Sequence, residues 1–170
     1  MRWKRWISLI ALPLAACGGG DVVKRVVGGD GDAGLERAAM DRGLVRAPGD
    51  APMTGLYASG GDRLCIVEQG RGARIGVVRD HGPGQSCAAA GVAERDDDII
   101  TVTLGAAGDC EFDAVFDGES LAFPPQVPAG CRRFCGVRGT LTDMSVERLS
   151  ESVAEATALR DGRRRMLCDS

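Results

Sequence analysis

Histidine, lysine and aromatic residues are scarce in this chain. His81 is the only histidine, Lys4 and Lys24 are the only lysines, and aromatic residues make up 4% of the 170 positions. A single histidine argues against a histidine-rich metal site and leaves one candidate base for Ser/His/Asp or Cys/His chemistry. There is no GxSxG nucleophile elbow and no CxxC pair of the thioredoxin type. No apolar run reaches the roughly 20 residues of a membrane-spanning helix. The formal charge is −3, whereas nucleic acid wants a basic stripe, so nucleic acid is not an expected partner. Arg163-Arg164-Arg165 is smaller than a usual polybasic cluster, and it reads as a solvated tail segment in preference to a site for phosphate or anionic lipid.

What is present begins with an address. Met1 to Arg5 is a short basic segment, Trp6–Leu14 is apolar, and Leu14-Ala15-Ala16-Cys17 follows directly. The three parts read as an export leader. The last four residues resemble the lipobox of bacterial lipoproteins. That resemblance implies a diacylglyceryl thioether on Cys17, cleavage before it, and acylation of the new amino group. Residues 1–16 are then a signal peptide, and two or three acyl chains hold a protein firmly on a membrane. The expected location is the cell envelope, facing the periplasm. Gly18 is not the aspartate that retains many enterobacterial lipoproteins in the inner membrane, so the outer membrane is favoured in a Gram-negative host. Losing Arg2, Lys4 and Arg5 takes the formal charge from −3 to −6.

Seven cysteines are odd in number, and Cys17 accounts for the odd one. Cys65, Cys87, Cys110, Cys131, Cys135 and Cys168 remain, an even set that reads in an exported chain as three disulfides with 15 possible connectivities. Pairing of sequence neighbours would join Cys65 to Cys87, Cys110 to Cys131 and Cys135 to Cys168. Cys131-Arg-Arg-Phe-Cys135 has neither the spacing nor the partners of a zinc site.

Residues 17–53 read as the lipidated cysteine and a flexible linker with one short helix over Leu35–Asp41. From Thr54 to the end the pattern is mainly β: short strands between turn signals, an antiparallel meander forming a small barrel or sandwich with a short C-terminal helix. The candidate strands are Gly55–Ala58, Arg63–Gln69, Arg74–Arg79, Ser86–Arg95, Asp98–Leu104, Cys110–Phe116 and Glu119–Phe123. A two-residue turn at Asp117-Gly118 sets Phe116 opposite Glu119, Ala114 opposite Leu121 and Phe112 opposite Phe123. A turn at Asp96-Asp97 sets Ala93, Gly91 and Ala89 opposite Ile100, Val102 and Leu104. A hairpin near Arg71-Gly72 pairs Leu64 with Val77 and Ile66 with Ile75, and both its faces are rather apolar. Thr140–Leu149 fits a helix and a final strand almost equally. Ser152-Val-Ala-Glu155 is a capping box opening a helix to about Arg160.

Candidate chemistry is thin. Gly28-Gly29-Asp30-Gly31-Asp32 departs from calcium-loop patterns, with Ala33 in place of an aspartate and Leu35 in place of the turn glycine. Asp96-Asp97-Asp98 reads as a solvated hairpin tip. His81, in a glycine-proline loop, reads as a turn residue. No cofactor or catalytic residue is expected. The function expected is a binding or structural role in the envelope, with a small molecule or an envelope protein as ligand. Lipid-anchored lysozyme inhibitors are also small disulfide-bonded barrels, an analogy of fold alone. The alternative is a hydrolase or metal-dependent enzyme using His81 with an aspartate.

Overall fold

Alternation of apolar and polar residues closes into a cylinder. The computed structural model describes residues 31–44 and 48–169, so Cys17 and the expected leader, residues 1–16, lie outside the described residues. Eight strands, β1 (Gly55–Ser59), β2 (Asp62–Gln69), β3 (Gly72–Asp80), β4 (Ser86–Asp96), β5 (Ile99–Leu104), β6 (Glu111–Phe116), β7 (Ser120–Ala122) and β8 (Ser145–Ser150), follow one another around a closed barrel. Every neighbour is antiparallel, including β8 back to β1. Thr140–Leu149 therefore contributes the closing strand, since β8 pairs with β1 on one side and with β7 on the other.

The chain divides into residues 1–45 and 46–170. In the first unit, helix α1 (Gly31–Asp41) covers the expected Leu35–Asp41 helix and starts earlier. Gly43, at φ +66°, ends it, and the Leu44 amide bonds to the Ala39 carbonyl. The second unit is self-contained, with both hydrophobic clusters and all three disulfides inside it. Ala51 and Met53 are buried in its core, so its packed structure starts upstream of Thr54.

Inward-facing residues fill the barrel. Tyr57, Leu64, Ile66, Ile75, Val77, Val102, Phe116 and Leu121 are inaccessible to solvent or nearly so. An eight-stranded barrel is just wide enough for side chains to fill it. Strand β6 alternates strictly, burying Phe112, Ala114 and Phe116 and exposing Glu111, Asp113 and Val115. Outside, Thr101 Oγ1 donates to Asp113 at 2.9 Å and Thr103 Oγ1 to Glu111 at 3.0 Å. A membrane-spanning barrel has the opposite arrangement, with an apolar outer band.

One barrel end is closed by a strap, residues 51–54, held by Tyr57, Arg95 and Arg148 and, at Thr54, by the Glu68 carboxylate. Tyr57 Oη donates to the Met53 carbonyl at 2.7 Å, and Arg95 Nη1 to Ala51 at 2.6 Å. Arg148, whose side chain is 4% exposed, donates from Nη2 to Pro52 at 2.7 Å and to Gly118 at 2.6 Å. Both guanidiniums stack on the Phe116 ring, at 4.9 and 5.6 Å. Burial pushes the Tyr57 hydroxyl pKa upward, so it stays a neutral donor.

Both faces of β2 are apolar because the barrel has a second, outer core. Cys65 and Val67 point outward under Ala156, Leu167 and Cys168, which return along the outside of the sheet. The segment opens with helix α2 (Val153–Thr157), where the Ser152 hydroxyl accepts from the Glu155 amide at 3.4 Å. The helix ends earlier than the expected Arg160.

Two hairpin registers differ from the sequence-based pairing by two residues. The β4–β5 turn is Asp97-Asp98, with Asp97 at φ +56°, so Ala93 faces Val102 and Gly91 faces Leu104. At β6–β7, Phe116 faces Leu121. The Asp117 carboxylate accepts from the Glu119 and Ser120 amides at 2.9 and 2.6 Å, and this Asx-type closure lengthens the loop. A slip of two keeps every side chain on its face. Phe112 and Phe123 accordingly still meet edge to face, 4.8 Å between centroids. Leu64–Val77 and Ile66–Ile75 pair as expected.

Disulfides join Cys65 to Cys168, Cys87 to Cys135 and Cys110 to Cys131. Only the last is a sequence-neighbour pair. The C-terminal tail crosses to β2 before reaching Cys168, which leaves Cys135 beside Cys87 at the edge of β4.

Candidate functional site

His81 follows β3 and meets Asp62, the first residue of β2. Its Nε2 lies 2.8 Å from Asp62 Oδ1, and the ring is about half exposed. Arg79, paired across the ladder with Asp62, points its Nε at both: 3.1 Å from His81 Nε2 and 3.4 Å from Asp62 Oδ1. Arg79 Nη1 also donates to the carbonyls of Thr140 and Thr142, at 3.0 and 2.7 Å, tying β3 to the loop before β8. The cluster therefore binds three segments together. Both acidic and basic partners converge on Nε2, while Nδ1 has no partner among the described residues.

Asp30, Asp32 and Asp96–Asp98, singled out in the sequence, do not assemble. Asp97 and Asp98 form the exposed β4–β5 turn, with Asp96 ending β4. Asp32 falls within α1, and Asp30 lies outside the described residues. Among the described residues no group of three or more His, Cys, Asp or Glu side chains converges as metal ligands would.

A different feature stands out on the barrel's exterior. A groove of about 630 Å³ runs between the 161–165 loop and the 3₁₀ segment Ala129–Phe134, floored by the ends of β3 and β4. Arg133, Arg163 and Arg165 line it, with Ser86, Asp80 and Asp161; Arg79 borders it too, but its guanidinium is turned to the 140 and 142 carbonyls. Arg133, Arg163 and Arg165 thus gather at this groove on a chain of formal charge −3. Arg133 pairs bidentately with Asp109 and lies over the Phe134 ring, 5.0 Å from its centroid. The Arg163 side chain has no partner among the described residues.

Asp161 organises the loop. Its buried Oδ1 accepts from the amides of Arg165 and Arg163 at 2.8 and 2.9 Å, and Oδ2 accepts from Arg165 Nε at 2.8 Å. The Arg165 amide, first, and then the Arg165 side chain hold the Asp161 carboxyl below the ordinary carboxylate range. The carboxylate therefore stays charged and keeps the loop closed at neutral pH.

Sequence reading placed Arg163–Arg165 in a solvated tail and did not connect it with Arg133. The only available signal was the triplet itself, since its partner Arg133 comes from the Cys131–Cys135 segment. No family model, curated protein or solved structure matches the chain.

Proposed function

We propose that this chain is a lipid-anchored protein of the bacterial cell envelope whose barrel acts by binding, through the arginine-lined groove, and not by catalysis. Cys17, in Leu14-Ala15-Ala16-Cys17, carries the anchor, and the barrel unit faces the periplasm. In a Gram-negative host the outer membrane is the favoured site. One observation carries the binding reading: the barrel's interior is filled by its own side chains, whereas the unpaired Arg163 guanidinium lines a concavity outside it. Ligand sites combine concavity with a few fixed polar groups, and this groove has both.

A second reading, an envelope hydrolase using His81 with Asp62, is favoured by their 2.8 Å contact. In a nucleophile–base–carboxylate array one ring nitrogen faces the carboxylate and the other faces the nucleophile. Here Asp62 takes Nε2, and Nδ1 bonds no hydroxyl or thiol among the described residues. Ion pairing that ties β2, β3 and the 140–142 loop together accounts for the cluster without catalysis.

Native mass spectrometry of a soluble periplasmic form beginning at Gly18 tests the choice. The binding reading expects a non-covalent adduct, one per chain, in wild type and in His81→Ala, and its loss in Arg163→Gln. An adduct indifferent to Arg163→Gln, or none in any form, refutes it.

A further inference from the structure

We infer that the groove takes an amphiphile carrying a phosphate group, its charged end among the guanidiniums and its hydrocarbon in an adjoining apolar hollow. The inference rests on the groove being the binding site, as proposed above, and adds the chemistry of what enters it.

The charged end comes first. Residues 161–165 are a built loop, not a loose tail. Besides the Asp161 carboxylate, the Arg164 amide bonds to the Asp161 carbonyl at 2.8 Å, and the Asp161 amide to the Arg165 carbonyl at 3.0 Å. An Arg160–Met166 bridge continues the closure, and Leu167 and Cys168 are buried immediately after it. The Cys65–Cys168 disulfide fixes the segment to β2. Arg163 is thus held at the groove's edge by a rigid backbone, which reduces the ordering cost of binding.

The other guanidiniums are only partly engaged. Arg165 is occupied on one side by Asp161, and Arg133 by Asp109. Each guanidinium has five N–H donors, so several remain on each. A carboxylate offers two oxygens in a plane, which a single arginine satisfies bidentately. A phosphate offers oxygens in three dimensions and accepts from several guanidiniums arranged around it. Arginines spread over the walls of a concavity match the phosphate better.

The apolar end follows from continuity. A second hollow, of about 280 Å³, shares Ala88, Phe134 and Arg165 with the groove and is otherwise bounded by Ala90, Met166 and Leu167 among others. Met166 is 42% exposed at its edge, an apolar side chain facing solvent beside a charged groove. A purely ionic ligand such as free phosphate would leave this surface wet, whereas a hydrocarbon joined to the phosphate would cover it.

The self-contained unit 46–170, disulfides intact, can be titrated with dodecyl phosphate, inorganic phosphate and dodecanoate while backbone amide resonances are followed. Dodecyl phosphate is expected to shift the amides of residues 133–136 and 161–167 saturably. Arg163→Gln should weaken it at least tenfold without altering the thermal melt, because that side chain makes no hydrogen bond or ion pair among the described residues. Met166→Asp should weaken dodecyl phosphate at least tenfold and leave the response to inorganic phosphate unchanged. Co-sedimentation with phosphatidylglycerol vesicles, lost in both variants, would identify the source as a membrane lipid; its absence alongside tight dodecyl phosphate binding would identify a soluble phosphoester. Dodecanoate binding as tight as dodecyl phosphate overturns the phosphate assignment, and inorganic phosphate binding as tight overturns the hydrocarbon assignment. No saturable shift overturns the inference, while a native adduct sensitive to Arg163→Gln would leave the binding reading standing.

Discussion

Replacing each disulfide in turn by an alanine pair should destabilise the barrel unit in an order set by topology. A cross-link restricts the unfolded chain more when it closes a longer loop, and the three loops span 103, 48 and 21 residues. The chain-entropy relation converts these spans to about 4.7, 4.1 and 3.3 kcal/mol for Cys65–Cys168, Cys87–Cys135 and Cys110–Cys131. The native state widens the first gap. Without the 65–168 bond, the return of Leu167 across β2 rests on the small outer cluster alone, whereas Cys110 and Cys131 sit inside the main core. Urea unfolding of Cys65→Ala/Cys168→Ala, Cys87→Ala/Cys135→Ala and Cys110→Ala/Cys131→Ala measures the order. Hydrogen exchange separates the two contributions: the Leu167 amide, bonded to the Leu159 carbonyl at 3.1 Å, should lose protection in the first variant well before the Ile75 amide inside β3. A larger loss for Cys110→Ala/Cys131→Ala than for Cys65→Ala/Cys168→Ala would refute the reasoning.

Other substitutions probe the barrel itself. Phe112→Ala empties a core position against Phe123 and should cost about 3–5 kcal/mol, whereas the exposed Glu111→Ala should stay within about 0.5 kcal/mol of neutral; denaturant melts giving equal losses would contradict the alternation. Gly118 is buried at φ +98° and its carbonyl accepts from Arg148, so Gly118→Val should cost on the order of 1–3 kcal/mol by the same assay. The Ser120 hydroxyl, and after it the Ser120 and Glu119 amides, hold the Asp117 carboxyl below its ordinary value. A carboxyl lowered in the folded state adds stability that is present above its unfolded pKa, near 3.9, and is lost as pH falls through the folded value. Between pH 5 and pH 2, wild type should therefore lose more stability than Asp117→Ala, and parallel pH profiles would count against the Asx closure.

Faces were legible in the sequence and partners were less so. The run Cys110–Phe116 alternates so cleanly that its inner and outer residues follow from the residue types alone. The turns at Asp97-Asp98 and Asp117–Ser120 each lie two residues from the simplest alignment, and period-two alternation is blind to a slip of two. Strand β8 was ambiguous because its helical and extended patterns are equally apolar; closure with β1, some 90 residues away, decides between them. The apolar outer face of β2 signalled a covering element without identifying it. Neighbour pairing failed for Cys65 and Cys168 for the same reason, since only the folded chain brings the tail to β2. The arginine groove combines residues separated by more than 80 positions, and no local pattern announces it.

Intact mass measurement of the protein extracted from membranes, denatured but not reduced, tests most directly the claim of an exported, lipid-anchored, disulfide-stapled barrel. The account predicts the mass of residues 17–170 plus a diacylglyceryl group, with any amide-linked acyl chain added, less six hydrogens for three disulfides, and no lipid on Cys17→Ser. A chain retaining residues 1–16 without lipid, or one with six reactive thiols, would contradict it.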